Sequence, residues 1–488
     1  MQHRAVRRFR VGKLHSPVRE TISPVKIVHS PLWKRIAADS IILVRGHLDL
    51  RTTTLCTSAG LTRTVEDIAY QFFIFQKLPL LNLKNPFRAI GPGPIVAAAF
   101  IGPGTVTVCT LAGANYGFSL IWAIVLSVVS TIILQEVAGR IGIVTGVDLS
   151  TLLRKQGGKP VFKLLSIVLV LLAIVLGNAA YESGNISGAN LGLSLYWETP
   201  NWKLGRHQLQ LGNFLMGISA FLLLLTGNYR ALERVLVALV ALMSFAFIVT
   251  AALTKPDLSE LLAGFIPRWN VAEIPTLLAL IGTTVVPYNL FLYAALVNKR
   301  WNKETDLPLM RCDISTSVTL GGGISMAILI VGAANMGTEI NSAADVSKGL
   351  EPIFGNFAKY MMGFGLLSAG LTSALTAPLA AGLDVCGILG WDNNIKSKPM
   401  RYTMGAIVAL GLAFSSLDIK PIQLITLAQL TNGMLLPLVS GWIIWIAADH
   451  AVLGKHKNTW LATVIAFLIW LITLVLGVKS VGTVFGLF

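Results

Sequence analysis

The chain has 488 residues, 54% of them hydrophobic and only 13% charged, with a mean hydropathy of +0.70. A soluble globular chain carries about 25% charged residues, so this composition excludes one and describes a polytopic membrane protein. The net charge of +16 is uneven: residues 1–89 hold 15 of the 39 Lys and Arg against five of the 23 acids, beside a membrane domain that makes nucleic-acid binding a poor explanation.

Residues 1–88 form a basic N-terminal extension without sustained periodicity, expected to be poorly ordered. Its first acid is Glu20, after Arg4, Arg7, Arg8, Arg10, Lys13 and Arg19. An acid-poor, Arg-rich start reads as a targeting peptide or a solvated cytoplasmic tail. A start placed too far upstream is the third reading, and no function is assigned here. Residues 89–488 read as one transmembrane transporter domain. Eleven apolar segments follow, at about 90–117, 119–143, 161–181, 209–227, 231–254, 274–298, 313–336, 357–389, 402–417, 420–447 and 459–478. With the N-terminus inside, the inner loops hold 15 Lys and Arg and the outer loops and C-terminus seven. The positive-inside rule therefore predicts a cytoplasmic N-terminus, and an odd number of spans puts the C-terminus outside.

The first segment contains Ile101-Gly102-Pro103-Gly104-Thr105. Pro103 removes a backbone donor and clashes with the preceding turn, and the flanking glycines ease unwinding. Freed backbone groups at bilayer depth are tolerated only in buried or cavity-lining positions. A second interruption, Thr283-Thr284-Val285-Val286-Pro287-Tyr288-Asn289, lies five segments on. Two broken spans at matching places in two halves point to a transporter built of inverted repeats. Gly113 with Gly117, and Gly184, Gly188 and Gly192, recur at helical spacing, which lets helices pack closely. Trp442, Trp445, Trp460 and Trp470 read mostly as interfacial anchors.

Ionisable residues within the spans are few. Glu136 and Arg140 are spaced for an i,i+4 pair. Glu182 ends the third segment, and an intramembrane carboxylate is a proton or ion relay candidate. Asp384 reads as interfacial. Gln429 and Asn432 are amides inside the tenth segment, and no His falls in a segment. The four cysteines form no CxxC pair, so neither a disulfide framework nor a thiolate metal site is indicated. No nucleophile–base pair or phosphate loop is recognisable, and an enzyme and a cofactor are not expected.

Gly91-Pro92-Gly93-Pro94, Gly102-Pro103-Gly104-Thr105, Ala112-Gly113-Ala114-Asn115-Tyr116-Gly117, Thr145-Gly146 and Val286-Pro287-Tyr288-Asn289-Leu290-Phe291-Leu292-Tyr293 resemble the NRAMP metal-ion transporters. The resemblance runs from about residue 90 onward. It implies an all-α membrane protein of the leucine-transporter-like fold, two inverted five-helix repeats plus an eleventh helix, moving divalent metal ions, usually with protons. It places substrate contacts at Gly102, Thr105, Thr283, Val286, Tyr288, Asn289 and Gln429, with helix breaks at Pro103, Gly104 and Pro287. Glu182 and Tyr293 become proton or ion relay candidates. The family's Asp and Asn at the first break are Gly102 and Thr105 here; its Met and His at the second are Val286 and Tyr288. The family's second His is Tyr293. A dehydrated dication needs formal charge or many oxygen ligands, and soft-metal selectivity leaves with the thioether. No metal ligand set is therefore assigned.

The expected function is secondary transport of a metal cation by alternating access with the usual ligands replaced. A non-metal solute or monovalent ion on the same scaffold is the alternative. A non-transporting sensor is a third reading, which predicts a soluble signalling extension that the short sequence after the last segment does not supply. Expected partners are the cargo, a coupling proton and the bilayer, with a monomeric transport unit.

Overall fold

The computed structural model describes residues 91–484, apart from 156–159, 205–206, 227–229, 269, 338–339 and 417–418. The basic extension therefore lies outside the described residues. The first apolar segment is split into α1 (Gly93–Phe100) and α2 (Pro103–Tyr116), with Ile101 and Gly102 between them. Gly102 is extended, at φ −102° and ψ −173°, and Pro103 takes the first position of α2. A proline there loses no hydrogen bond, and it drives the residue before it out of the helical region.

Helix α3 (Ile121–Thr145) stops at Gly146, whose φ of +67° is left-handed, the conformation glycine adopts most cheaply at a helix end. A short α4 (Leu149–Lys155) leads to α5 (Pro160–Leu193). The third segment was expected to end at 181, but α5 runs on through Glu182, Asn185 and Asn190. These polar residues are buried against neighbouring helices, so hydropathy does not register them as span. A pair of short strands follows, the only strands among the described residues. The two, β1 (Asn201–Leu204) and β2 (His207–Gln210), are antiparallel, with Asn201 paired to Gln210. Then come α6 (Leu211–Thr226) and α7 (Arg230–Leu253).

The second half begins with α8 (Leu258–Ala263) and the second broken span, α9 (Ile274–Thr284) and α10 (Pro287–Arg300). Val285 and Val286 are non-helical, and Pro287 opens α10 as Pro103 opens α2. Helix α11 (Leu307–Ala333) starts before the expected 313. The short α12 (Ala343–Lys348) and α13 (Glu351–Phe354) precede α14 (Phe357–Leu389), α15 (Lys398–Ser415), α16 (Pro421–Ala448), the short α17 (His450–Leu453) and α18 (Trp460–Val484).

Among the described residues, seven helical stretches are long and apolar enough to cross a bilayer by length and composition: α3, α5, α7, α9 with α10, α11, α14 and α16. The split α1 and α2, with α6, α15 and α18, complete the eleven expected segments. The first repeat, α1 to α7, and the second, α9 to α16, each open on a broken span. Each has five crossings, an odd number, so the second repeat must run inverted to the first.

Small residues let the repeats interlock. A Cβ on Gly113 would strike the α11 backbone at Leu329, and one on Gly332 the α2 backbone at Thr110. Along α5, Gly184 faces Ala428 of α16, Gly188 faces Pro103, and Gly192 faces the α14 backbone. Gly117 differs from the expected packing role: it has φ +57° and ends α2. Two of the tryptophans are also packing residues rather than anchors. Trp442 is buried and stacks on Phe291 at 6.0 Å, and Trp470 Nε1 donates to the Pro437 carbonyl at 2.9 Å. Asp384, expected at the interface, is buried beneath α4, where Ser150 Oγ donates to it at 3.0 Å.

Candidate transport site

Both breaks meet. The hydroxyls of Thr105, in the first turn of α2, and Thr283, at the end of α9, lie 2.8 Å apart, and neither residue is exposed. Gln429 of α16 rests against the first break, where its side chain occupies the space a Cβ on Gly104 would need. Gly104 leaves room for the amide that lies over it. On the other side of the strand-like link, Gly102 faces Ser373 Oγ of α14 and the Tyr181 hydroxyl of α5. The Tyr181 ring packs edge-on against Tyr288 of α10, with centroids 5.4 Å apart. Val286, Tyr288 and Asn289 are buried at the second break.

The chemistry of this junction is polar without formal charge. Among the described residues, neither amide atom of Asn289 has a hydrogen-bond partner, nor does Gln429 Oε1. Buried amides are normally satisfied, and unpaired ones in a native protein call for an explanation. Here they line a junction able to hydrogen-bond a hydrated ion or a small polar solute. Thr284 is different: its Oγ1 donates to the Leu280 carbonyl at 3.1 Å and is committed to its own helix. Among the described residues, no group of three or more His, Cys, Asp or Glu side chains is placed to hold a metal ion.

The relay candidates separate. Glu182 is fully buried on α5, packs against Gly411 of α15, and accepts from Asn185 Nδ2 at 3.4 Å. Tyr293 is not at the junction. It lies along α10 beside Gly139 of α3, with its hydroxyl 3.4 Å from both the Met310 carbonyl and Asp313 Oδ2. Asp313, which sequence reasoning passed over, accepts the Gly91 amide at 2.8 Å and the Gly93 amide at 2.7 Å. It ties the start of α1 to α11. Its position inside the seventh span was the signal that could have found it. Ser373 and Tyr181 were missed as neighbours of Gly102 because they come from other spans. Glu136 pairs with Arg140 at 3.2 Å, as its spacing predicts, and also with Arg311 at 2.9 Å.

A cavity lies on each side of the junction. One, of about 610 Å³, is bounded by α2, α9, α16 and residues 340–341; the other, of about 710 Å³, by α7, α10, α14 and the loop after α14. Buried Thr105, Thr283 and Gln429 lie in neither lining.

The natural resistance-associated macrophage protein-like family matches residues 93–483. The divalent metal cation transporter MntH of Mycobacterium tuberculosis (strain H37Rv) is 25% identical over 412 residues, covering 81% of this chain and 92% of that protein. The corresponding MntH of Ralstonia nicotianae is 28% identical over 423 residues, 82% and 91% of the two chains. Metal transporter Nramp3 of Oryza sativa subsp. japonica is 28% identical over 410 residues, 79% and 72%. Among solved structures, a manganese transporter of Eremococcus coleocola shares the fold, with a TM-score of 0.66, 21% identity and coverage of 89% of this chain and 90% of that one. The chain is an integral multi-pass membrane transporter, not an enzyme, and it belongs to the natural resistance-associated macrophage protein-like (Nramp) family.

Proposed function

We propose that the chain moves a hard cation that keeps part of its water shell, by alternating access around the junction of the two broken spans. The relatives named as metal transporters support a metal cargo. The observation that carries the modified chemistry is the buried Thr105–Thr283 hydroxyl pair, with the Asn289 amide and Gln429 Oε1 lacking partners among the described residues. Neutral oxygens without a carboxylate or thioether cannot replace the whole hydration shell of a dication, and magnesium-class ions dehydrate reluctantly. The cargo therefore arrives partly hydrated, and Gly102, Thr105, Thr283, Val286, Tyr288, Asn289 and Gln429 form its cradle. Residues 89–488 make the transport domain, with a cytoplasmic N-terminus, an outside C-terminus and a single chain as the transport unit. Glu182 carries a coupling proton.

Uptake into proteoliposomes of magnesium, manganese and a panel of small organic solutes is the test. Low-affinity uptake of the metals is expected. Uptake of neither metal would remove the reading. A neutral solute is the second reading, favoured by the Tyr181–Tyr288 aromatic pair beside Gly102.

A further inference from the structure

Helix α4, between α3 and α5 in the first repeat, packs on the end of α14 in the second. The contact is built around a carboxylate. Asp384 of α14 is buried, Ser150 Oγ of α4 donates to its Oδ1 at 3.0 Å, and its Oδ2 has no hydrogen-bond partner. One turn on, Gly387 faces Ser150 and a second carboxylate: a Cβ there would stand 3.3 Å from Asp148 Oδ1. Asp148 is half-buried and directly precedes α4. Its Oδ1 accepts the Thr151 amide at 2.6 Å and its Oδ2 the Thr151 hydroxyl at 3.1 Å. Those bonds fix the carboxylate and still leave lone pairs free. Its negative charge is felt at Asp384. Among the described residues, no ion pair engages either aspartate. Arg154, which reaches α14 from α4, lies at Gly390 instead.

A buried carboxylate without a counter-charge is costly, and a second one beside it raises the cost. Two carboxylates are also a donor set with a known preference. Magnesium-class ions bind through one or two carboxylates and keep the rest of their water, and half-buried Asp148 leaves an open side for that water. We propose that Asp384 and Asp148 form a site for a hard divalent cation, which clamps α4 onto α14 and so joins the two repeats away from the junction. None of the cradle residues takes part, so the site stands whatever the cargo is. The two repeats must shift against each other in alternating access, and a cation between α4 and α14 opposes that shift at this contact.

Amide exchange in α4 tests the clamp, in the full-length protein in nonionic detergent at one fixed pH. Magnesium chloride is compared with sodium chloride at equal ionic strength. Magnesium is expected to slow exchange across α4 at least threefold, by mass action on the closed contact. Asp384→Asn and Asp148→Asn are close in shape to the native residues and should each lose that response; asparagine at 148 still caps α4. The double variant Thr105→Val, Thr283→Val should keep it, because the hydroxyl pair lies at the junction. No magnesium effect in the unsubstituted protein overturns the site, and so does an effect that survives either aspartate substitution. An effect lost with the hydroxyl pair would overturn it as well, since α4 would then be reporting the junction. Uptake measurements that removed the cargo assignment would leave these exchange results unchanged, so the two failures are distinguishable.

Discussion

At the scale of single residues, the junction rests on a few contacts that substitution can separate. Thr105→Val and Thr283→Val keep the shape of each side chain and remove its hydroxyl. Each should lower uptake at least tenfold, and the double variant should be little worse than either single one, because residues that act as a pair are not additive. Uptake assays on the four proteins of this cycle check it; fully multiplicative losses would mean that the 2.8 Å hydroxyl pair is incidental. Gly104→Ala makes a sharper claim. The added methyl enters space held by Gln429, so transport should fall by more than tenfold. Shortening the neighbour with Gln429→Ala in the same chain should restore the thermal stability that Gly104→Ala loses. Without that recovery, the glycine would be there for its backbone freedom and not for the amide above it.

Among the elements, α1 is held at its tip by another helix. Asp313 of α11 accepts the amides of both Gly91 and Gly93 with its two oxygens. Asp313→Asn leaves one acceptor and turns a donor toward the other amide. An unsatisfied buried donor costs about 1–3 kcal/mol, so the start of α1 should exchange its amide hydrogens faster while α11 does not. Equal protection in the two proteins would show that the tether adds nothing. The short α12 offers a second case. Ser342 caps it, and Asp345 returns the bond in a capping box. The Lys348 ammonium, with Ser342, holds Asp345 down to about 2 from an ordinary 3.8. A depressed carboxylate stabilises the fold above its ordinary value and loses that contribution as pH falls toward its folded one. With the intrinsic pH dependence of exchange divided out, protection in α12 should therefore be unchanged from neutral pH to about pH 4 and fall only in stronger acid. Ser342→Ala should lower it at every pH, by a cap loss of about 1 kcal/mol.

For the whole molecule, the proposed proton coupling turns on Glu182, buried on α5 against Gly411 of α15. Glu182→Gln keeps the size and hydrogen-bonding capacity of the side chain and removes its charge. Acid-driven uptake should be lost while exchange of cargo across the membrane without a pH gradient persists. Uptake that still follows the pH gradient would count against Glu182 as the relay.

Membrane residence, the eleven segments and both breaks were legible in the chain alone, because each is a local property. Hydropathy is summed over a short window, and Pro103 and Pro287 disrupt only their own turns. The polar end of α5 was not legible, since the burial of Glu182, Asn185 and Asn190 comes from helices distant in sequence. For the same reason Trp442 passed for an anchor, and Asp313 went unnoticed as the holder of α1. Which residues surround the breaks was likewise decided only in three dimensions. Thr105 meets Thr283 across 178 residues of chain, and Gln429, Ser373 and Tyr181 arrive from three other helices. Sequence determined where the helices must break; the packing of two inverted repeats determined what the broken ends face, because a side chain's partners follow from how helices pack and not from its neighbours along the chain.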